Sequence, residues 1–344
     1  MRRRRVAVLM GGRSSEHEVS LASAQAVIDA LDPARDEVIP VLISPEGVWS
    51  IDGEPVAVAA GPDGAACLTS LAGGPPRPVD VVFPVLHGPH GEDGTIQGAL
   101  ETAGVPYVGA GVASSAVAMD KAMFKVFLAD AGIPTPEHAV VTAGEWERDP
   151  GAVRARVAEV VGYPAFCKPA RLGSSVGISP VPDEGQLEAS LTLAFHHDGK
   201  ALLERGITGR EIEVGVLGGP EPFASPVGEI TFDSDWYDYD TKYVPGRSHL
   251  QVPAEIPEEA SETARALALR AFAAVDCEGL ARVDFFLSDD GKVLLSELNT
   301  MPGFTPTSVY ASLMEAAGIS YPELVGRLID LGVARADEAR RYRC

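Results

Sequence analysis

The stretch of sequence that decides the fold is residues 279–308, GLARVDFFLSDDGKVLLSELNTMPGFTPTS. Polar and apolar residues alternate along its two halves, which predicts two β-strands with one polar face and one face packed in a core. The polar turn between them, SDDG at 288–291, favours a hairpin. The stretch therefore predicts an antiparallel ribbon followed by a loop rich in glycine and proline.

The polar face of this ribbon carries a pattern typical of a cation site. Arg282 and Asp284 lie two residues apart and share one face, and Glu297 and Asn299 repeat this spacing in the second strand. A hairpin would bring Asp284, Glu297 and Asn299 together. Two carboxylates and an amide oxygen suit Mg²⁺, which also binds substrate phosphates, whereas zinc favours His or Cys. The pattern predicts a magnesium site and a nucleoside triphosphate partner; a solvated hairpin face is the alternative.

Length and composition indicate a globular protein of more than one domain. The 344 residues, 46% of them hydrophobic, exceed what one core accommodates, so two or three domains are expected. The N-terminal MRRRR resembles the start of a signal peptide, but the apolar run after it ends at Gly11, so a cytoplasmic location is expected. No apolar run approaches the roughly 20 residues that span a bilayer. The 4 cysteines are isolated, which argues against a disulfide framework or a structural zinc site.

Charge narrows the choice of partners. A net charge of -21 repels nucleic acid and anionic membranes, so a bound phosphate must be small and held by local cations. Lysine is rare, and three lysines stand beside other polar signals: Lys121, Lys168 and Lys242. A compact ammonium that binds phosphate explains lysine at such positions, with chance placement as the alternative.

The N-terminal part alternates between strands and helices, which predicts an open parallel sheet. The predicted strands are residues 5–10, 37–43, 79–86 and 106–108, with a helix at 19–31 and a loop region between the second and third strands. His87 stands at the carboxyl end of the third strand, where open parallel sheets bind ligands. Glu16 and Ser20, near the start of the helix, are interpreted most simply as capping residues.

A dinucleotide-type sequence supports a second hypothesis. GAGVASS at 109–115 nearly matches the fingerprint of NAD enzymes, which would make the protein a dehydrogenase. The third glycine is replaced, and Asp130, about 20 residues on, lies at the end of a predicted helix instead of a strand. The same region marks a domain boundary.

Three later segments suggest nucleotide binding. The turn at 173–177, GSSVG, follows Lys168 and suits phosphates, although it is not a Walker loop. Glu204 and Glu211 flank a link between two strands, a place where a base and its ribose are commonly bound. Residues 231–249 lack periodicity and are rich in aromatics and aspartate, which predicts a long lid loop.

These motifs together resemble the D-alanine:D-alanine ligases of the ATP-grasp family. The matching segments are GGRSSEHEVS, LHGPHGEDG, MDK, KPARLGSSVG, LLERG, DYDTKY, RVDFFL and ELNTMPGFTPTS, in the family's order over residues 5–330. The resemblance implies an α/β, three-domain ATP-grasp architecture in which two antiparallel sheets hold ATP. Its domains would be an N-terminal open parallel α/β sheet that binds substrate (1–115), a central domain with a glycine-rich phosphate lid (116–205), and a C-terminal domain with the lid loop and the magnesium site (206–344).

The resemblance also implies roles for single residues. Mg²⁺ or Mn²⁺, as two ions, would be bound by Asp284, Glu297 and Asn299. ATP would be bound by Lys121, Lys168, Ser174, Ser175, Glu204, Arg205, Ile207, Glu211 and Lys242, with Arg205 standing where the family often has lysine. The substrate groups would be Glu16 for the ammonium of the first D-alanine, His87 near its carboxylate, and Lys242 and Ser308 for the second substrate. The catalytic groups would be Glu16, Ser174 and Tyr243 as a hydrogen-bonded triad, and Arg282 with the Gly303 N–H at the oxyanion.

The implied reaction is ATP-dependent ligation of two D-alanine molecules through D-alanyl phosphate, for peptidoglycan precursor synthesis. A cytoplasmic homodimer without nucleic-acid or membrane partners is expected. D-lactate or D-serine as second substrate stays an alternative, although Tyr243 favours the dipeptide-forming branch over lactate. A non-catalytic ATP-binding regulator is a further alternative.

Overall fold

A computed structural model of the chain describes residues 2–60, 66–232 and 248–342. These residues form three β-sheets flanked by helices. Within this part of the chain, no helix has the length and hydrophobicity that a membrane span requires.

The first sheet has seven strands in the order β6-β5-β4-β3-β2-β1-β7. Its strands and helices are β1 (Arg4–Gly11), α1 (His17–Ala30), β2 (Asp36–Ile43), β3 (Trp49–Ile51), β4 (Glu54–Ala60), β5 (Ala66–Ser70), β6 (Arg77–Pro78), β7 (Val81–Pro84) and α2 (Thr95–Thr102). β1 is parallel to β2 and β7, and its four central residues, VAVL at 6–9, are fully buried, as expected for a strand covered on both faces.

Three predictions for this region hold only in part. Only β1, β2 and β7 are parallel, because β2 to β6 pair antiparallel in sequence order. The predicted loop region between the second and third strands contains β3 to β6. β3, β5 and β6 have five residues or fewer, too few for a period to be read. β4, EPVAVAA, has seven residues but does not alternate between polar and apolar side chains. The predicted strand at 106–108 is reduced to one isolated bridge, from Tyr107 to Val82.

The second sheet is antiparallel, with strands in the order β10-β9-β11-β8. This region contains α3 (Val112–Met119), α4 (Lys121–Asp130), β8 (His138–Thr142), α5 (Ala143–Arg148), α6 (Pro150–Val160), β9 (Ala165–Pro169), β10 (Ser179–Val181), a 3₁₀ turn (Glu184–Gln186), α7 (Leu187–His197) and β11 (Lys200–Arg205). The predicted glycine turn connects β9 to β10, and Lys168 lies in β9 next to Leu202 of β11.

The third sheet is also antiparallel, in the order β15-β14-β12-β16-β17, with β13 paired to β12. Its elements are β12 (Gly209–Leu217), β13 (Phe223–Ala224), β14 (Gly228–Phe232), β15 (Ser248–Gln251), α8 (Glu258–Ala274), β16 (Leu280–Ser288), β17 (Val293–Asn299), α9 (Val309–Ala316) and α10 (Tyr321–Ala339). The ends of the predicted lid loop belong to β14 and β15, which pair with each other. The remainder of that loop, including Lys242 and Tyr243, lies outside the described residues.

The predicted hairpin is confirmed as β16–β17. Asp284 stands opposite Glu297 and Arg282 opposite Asn299, with an irregularity in the register after Asp284. Val283, on the other face, is fully buried in a core that α8 covers. The alternation along the strands thus separates a polar face from a packed one.

The C-terminal helix α10 connects the third sheet to the first. The Arg335 guanidinium donates to the carbonyls of Gly109 and Tyr107 at 2.5 and 2.9 Å and lies 4.1 Å above the Tyr107 ring. A Cβ at Gly332 would stand 2.5 Å from the Tyr107 carbonyl oxygen, so glycine permits this close approach. Residues of α1, β1, β7, α9 and α10 share one buried cluster.

Asp80, just before β7, holds the start of the first sheet together through arginine. Its carboxylate accepts hydrogen bonds from the Arg5 backbone N–H at 2.7 Å, the Arg5 guanidinium at 2.9 Å and the Arg2 guanidinium at 2.8 Å. Partial burial opposes ionisation, but the hydrogen bonds outweigh it and lower the pKa of Asp80 to about 2.

Replacing Asp80 by asparagine is expected to lower the free energy of unfolding at pH 7 by about 1–2 kcal/mol. Because the folded-state pKa is lowered, the contribution of this carboxylate is present above its unfolded pKa near 3.8 and is lost as the pH falls toward 2. Urea unfolding of the wild type and Asp80→Asn between pH 7 and pH 3 measures this, with the exposed Asp337→Asn as control. A difference that does not shrink below pH 4 would contradict the assignment.

Candidate active site

Two clefts meet at the β16–β17 hairpin. The first, of about 430 Å³, lies between the second and third sheets, and the second, of about 750 Å³, lies between the third sheet and the start of α1. The first cleft is lined by, among others, Lys121, Phe166, Lys168, Ser175, Glu204, Arg205, Ile207, Glu211, Asp284 and Glu297. The second is lined by, among others, Glu16, Ser23, His87, Glu92, Ser174, Arg282, Glu297, Asn299, Gly303 and Ser308. Glu297 lies on the wall of both.

The polar face of the hairpin is a network of charged groups. The Arg282 guanidinium donates to both oxygens of Asp284, at 2.8 and 2.7 Å, and lies 3.1 Å from a carboxylate oxygen of Glu213. The Asn299 amide donates to Asp284 at 2.9 Å. Burial disfavours the charge on Arg282, but Asp284 and Glu213 outweigh burial and raise its pKa well above the usual value. Arg282 is therefore a permanent cation on the wall of the second cleft.

The oxygen groups on this face fit a magnesium ion. In the described ranges, no group of three or more His, Cys, Asp and Glu side chains is arranged to hold a metal by itself. Asp284, Glu297 and Asn299 offer two carboxylates and one amide. That set suits Mg²⁺, which keeps several waters and takes further ligands from substrate phosphates.

A buried ion-pair network, which we call the Glu204 network (Lys125, Lys168 and Glu204), lies beside the first cleft. The Glu204 carboxylate on β11 is 2.6 Å from the Lys125 ammonium and 2.5 Å from the Lys168 ammonium. Burial alone would raise the pKa of Glu204, but the two lysines lower it to about 2. Lys125 was missed by sequence reasoning; its only signal was a lysine within an apolar helix of a lysine-poor chain.

Lys121 joins the glycine turn to the hairpin. Its ammonium donates to the Leu172 carbonyl at 2.8 Å and lies 3.5 Å from a carboxylate oxygen of Glu297. Asp120 caps α4 by accepting from two backbone N–H groups at 3.1 Å, which fixes the start of the helix beside Lys121. The structure thus brings Lys121 and Lys168 to the same cleft.

The glycine turn at 173–177 has backbone conformations that are uncommon outside glycine. Ser174 and Ser175 have φ of 53° and 57°, and Gly177 has φ of 74°. A Cβ at Gly177 would stand 2.6 Å from the His197 side chain, so glycine is required there. The Ser174 hydroxyl donates to Glu16 at 2.5 Å, which brings two members of the predicted triad into contact.

Glu16 precedes α1 without capping it. Its side chain makes no capping hydrogen bond to the helix, so the simple interpretation as a capping residue is wrong. The Ser20 hydroxyl of α1 is used in other hydrogen bonds: it accepts from the Gly11 N–H at 2.9 Å and donates to the Val85 carbonyl. The buried Glu16 carboxylate instead lines the second cleft.

His87 and Glu92 hold the loop that follows β17. His87 Nδ1 donates to the Met301 carbonyl at 2.9 Å, and its Nε2 accepts from the Ser23 hydroxyl at 3.0 Å. Burial lowers the pKa of His87, which keeps the ring neutral. Glu92 accepts from the N–H groups of Met301 and Gly88 at 3.0 and 2.7 Å. Sequence reasoning missed Glu92, although it lies in the LHGPHGEDG motif.

The other predicted residues in the described part of the chain lie on the cleft walls. Ser308 precedes α9 and accepts from the Thr305 N–H at 3.0 Å, beside Gly303 in the second cleft. Arg205 donates to the Val161 carbonyl at 2.8 Å and lines the first cleft together with Ile207 and Glu211.

Comparison with known proteins identifies the family. The family model described as "D-ala D-ala ligase N-terminus" matches residues 5–110, and "D-ala D-ala ligase C-terminus" matches residues 127–330. The chain belongs to the D-alanine–D-alanine ligase family. A curated D-alanine–D-alanine ligase from Deinococcus radiodurans is 52% identical over 96% of this chain and 99% of the relative, and one from Geobacillus kaustophilus is 46% identical over 97% and 96%.

Solved structures agree with this membership. The D-alanine–D-alanine ligase from Coxiella burnetii has a TM-score of 0.88 at 34% identity, over 99% of this chain and 97% of that one. The VanG D-Ala:D-Ser ligase from Enterococcus faecalis has a TM-score of 0.87 at 35% identity, over 96% and 100%. The ATP-grasp architecture and the resemblance predicted from the motifs are therefore confirmed, and a dehydrogenase built on GAGVASS is wrong.

Proposed function

We propose that the protein joins two D-alanine molecules to D-alanyl-D-alanine, with ATP converted to ADP and phosphate through a D-alanyl phosphate intermediate. The product would serve peptidoglycan precursor synthesis. Membership of the D-alanine–D-alanine ligase family supports the reaction class. The observation that carries the proposal in this molecule is the position of Glu297, on the wall of both clefts. A phosphoryl group bound beside Glu297 would therefore lie next to a substrate in the second cleft.

The first cleft has the groups that ATP requires. The cations on its wall include Lys121 and Lys168, and the glycine turn adds the Ser175 hydroxyl. Ser174, which the resemblance also assigns to ATP, lies on the wall of the second cleft. Glu204 and Glu211 would bind the base and the ribose, and Ile207 and Arg205 would line the base pocket. The resemblance assigns Lys242 to phosphate. Mg²⁺ held by Asp284, Glu297 and Asn299 would neutralise phosphate charge when bound.

The second cleft has the groups that two amino acids require. Glu16 would pair with the ammonium of the first D-alanine, while the neutral His87 lies near its carboxylate and holds the Met301 carbonyl. Arg282 and the Gly303 N–H would stabilise the oxyanion formed when the second amine attacks the acyl phosphate. Ser308 and Lys242 would bind the second carboxylate, and Tyr243 would complete the triad with Glu16 and Ser174.

D-serine as second substrate is a second candidate. The observation that favours it is the likeness to the VanG D-Ala:D-Ser ligase, with a TM-score of 0.87. The higher identity to a D-alanine–D-alanine ligase, 52% against 35%, favours D-alanine. Turnover of the purified protein with D-alanine plus D-alanine, D-serine or D-lactate decides between them. Faster formation of D-alanyl-D-serine than of the D-alanine dipeptide at equal concentrations would overturn the choice of D-alanine.

Replacing Lys168 by alanine is expected to lower kcat/KM for ATP by about a hundredfold, because one cation of the phosphate site is lost. The KM for D-alanine should change little, since Lys168 lines the first cleft and not the second. Steady-state kinetics with each substrate varied measures this. Lys292→Ala, on the exposed hairpin turn, is the matched control. Loss of D-alanine affinity with unchanged use of ATP would contradict the assignment.

The function itself is tested by incubating the purified chain with ATP, Mg²⁺ and D-alanine. We expect ADP, phosphate and D-alanyl-D-alanine in equal amounts, and no phosphate release without D-alanine. Phosphate release independent of D-alanine, or nucleotide binding without any turnover, would favour an ATPase or a regulator instead. Two metal ions per site, a homodimer, a cytoplasmic location and the domain limits 1–115, 116–205 and 206–344 stay predictions.

A further inference from the structure

Lys125 is a buried charge that the proposed mechanism does not use. Of the five lysines in the described part of the chain, it has the most enclosed side chain, with 1% exposure against 12% for Lys121 and 13% for Lys168. It does not line either cleft. Burying an ammonium is costly unless it is paired. The interactions that Lys125 makes must therefore offset the loss of its hydration.

The partners of Lys125 fix it in place. Its ammonium lies 2.6 Å from Oε1 of Glu204 and donates to the carbonyls of Ser296 and Leu295 on β17 at 3.1 and 3.3 Å. It therefore connects α4, β11 and β17. Lys168 contacts the other oxygen of Glu204 at 2.5 Å, but its side chain lines the first cleft, where the proposed function gives it phosphate as a partner.

Glu204 can only accept hydrogen bonds in this setting. An ammonium has donors and no acceptor, and here each carboxylate oxygen faces one. Glu204 lines the first cleft, so an N–H group of a bound base would meet the remaining lone pairs of this carboxylate. If Lys168 turns toward phosphate, Lys125 stays, because the two carbonyls of β17 hold it.

The cleft wall around Glu204 suits a purine ring. Glu204 is the neighbour of Phe166 across the β11–β9 pair, and both line the first cleft together with Ile207. A base held between such apolar side chains would direct one edge at Glu204. Adenine has an amino group on that edge, which donates. Guanine has a carbonyl there, which would face a carboxylate that cannot donate.

We propose that Lys125 is a positioning residue for base recognition: it fixes Glu204 as a hydrogen-bond acceptor and thereby selects adenine over guanine nucleotides. The inference rests on the proposed function in that the first cleft binds ATP. A purely structural role, tying α4 to β17, makes a different prediction: removal of Lys125 would lower stability and leave base selectivity unchanged.

The test is the binding of ADP and GDP, with Mg²⁺ and without D-alanine, to the full-length protein by calorimetry. The wild type should prefer ADP by roughly a hundredfold or more, as sites that hydrogen-bond a substrate group reject analogues lacking it. Lys125→Met should reduce that preference by about tenfold, mainly through weaker ADP binding. Lys292→Met, an exposed lysine, should keep the wild-type ratio.

A second comparison separates positioning from folding. Glu204→Gln offers an amide that can donate or accept, and it removes the buried carboxylate that Lys125 pairs with. In the Glu204→Gln background, Lys125→Met should change the ADP:GDP preference by less than about twofold, because the pair acts as a unit. If Lys125→Met alone does not fold, the Glu204→Gln variants still test the inference. A wild-type ADP:GDP preference in Lys125→Met, or in Glu204→Gln, would overturn the inference. Because binding is measured without D-alanine, failure of ligation would count against the proposed function alone.

Discussion

Replacing Glu297 by glutamine is expected to lower kcat for D-alanine ligation by about a thousandfold, because a bound divalent ion contributes several kcal/mol to transition-state stabilisation. Glu297 is the carboxylate shared by both clefts, lies opposite Asp284 and stands 3.5 Å from the Lys121 ammonium. The amide keeps the shape of the side chain and removes its charge. The variant should therefore need a higher Mg²⁺ concentration for half-maximal rate.

The measurement is the initial rate of D-alanine-dependent ADP formation over a range of Mg²⁺ concentrations. Asp290→Asn is the matched control, since Asp290 lies on the exposed turn of the same hairpin. It should keep both the rate and the Mg²⁺ dependence of the wild type. Equal rates for Glu297→Gln and the wild type at limiting Mg²⁺ would exclude Glu297 as a metal ligand.

The second large effect is expected for Arg282. Lysine at this position keeps the positive charge beside Asp284 and Glu213 but lacks the planar fork that now donates to both oxygens of Asp284. Since one oxyanion donor is worth about 10²–10³ in kcat, Arg282→Lys should lose about that factor. The KM for ATP should stay within about threefold, because the lost interaction belongs to the transition state.

Two readouts distinguish this role from a structural one. Thermal unfolding should show that Arg282→Lys remains folded, because the buried carboxylates still have a cation. Single-turnover kinetics should show a slower ligation step at saturating ATP and D-alanine. A variant whose loss is entirely in the KM for ATP would remove Arg282 from the oxyanion and assign it to nucleotide binding.

The hairpin shows how much of the site the sequence could predict. Alternation along 282–285 and 297–299 with a polar turn predicts that the two polar pairs share one face, and the structure has Asp284 opposite Glu297. The shift in register after Asp284 has no signal in the alternation. Local spacing suffices there because both strands and the turn are contiguous in sequence. The contact between Ser174 and Glu16 joins residues 158 positions apart, and only the motif resemblance predicted it.

Other features could not be predicted because they depend on tertiary packing. Lys125 lies in an apolar helix pattern, and its partners Glu204 and Ser296 come from two different sheets. Glu92 bonds to a backbone N–H 209 residues away, which no local pattern encodes. The strands β3, β5 and β6 are too short for a period to emerge, and β4, EPVAVAA, has small apolar residues on both faces, so no alternation marks it as a strand.

The central claim is that a phosphoryl group passes from the first cleft to a D-alanine carboxylate in the second. It is tested most directly with D-alanine labelled with ¹⁸O in its carboxylate. When an acyl phosphate forms and is attacked by the amine, one carboxylate oxygen leaves with the released phosphate. Mass spectrometry should therefore find one ¹⁸O in phosphate for each dipeptide formed. Dipeptide formed with unlabelled phosphate would contradict the account.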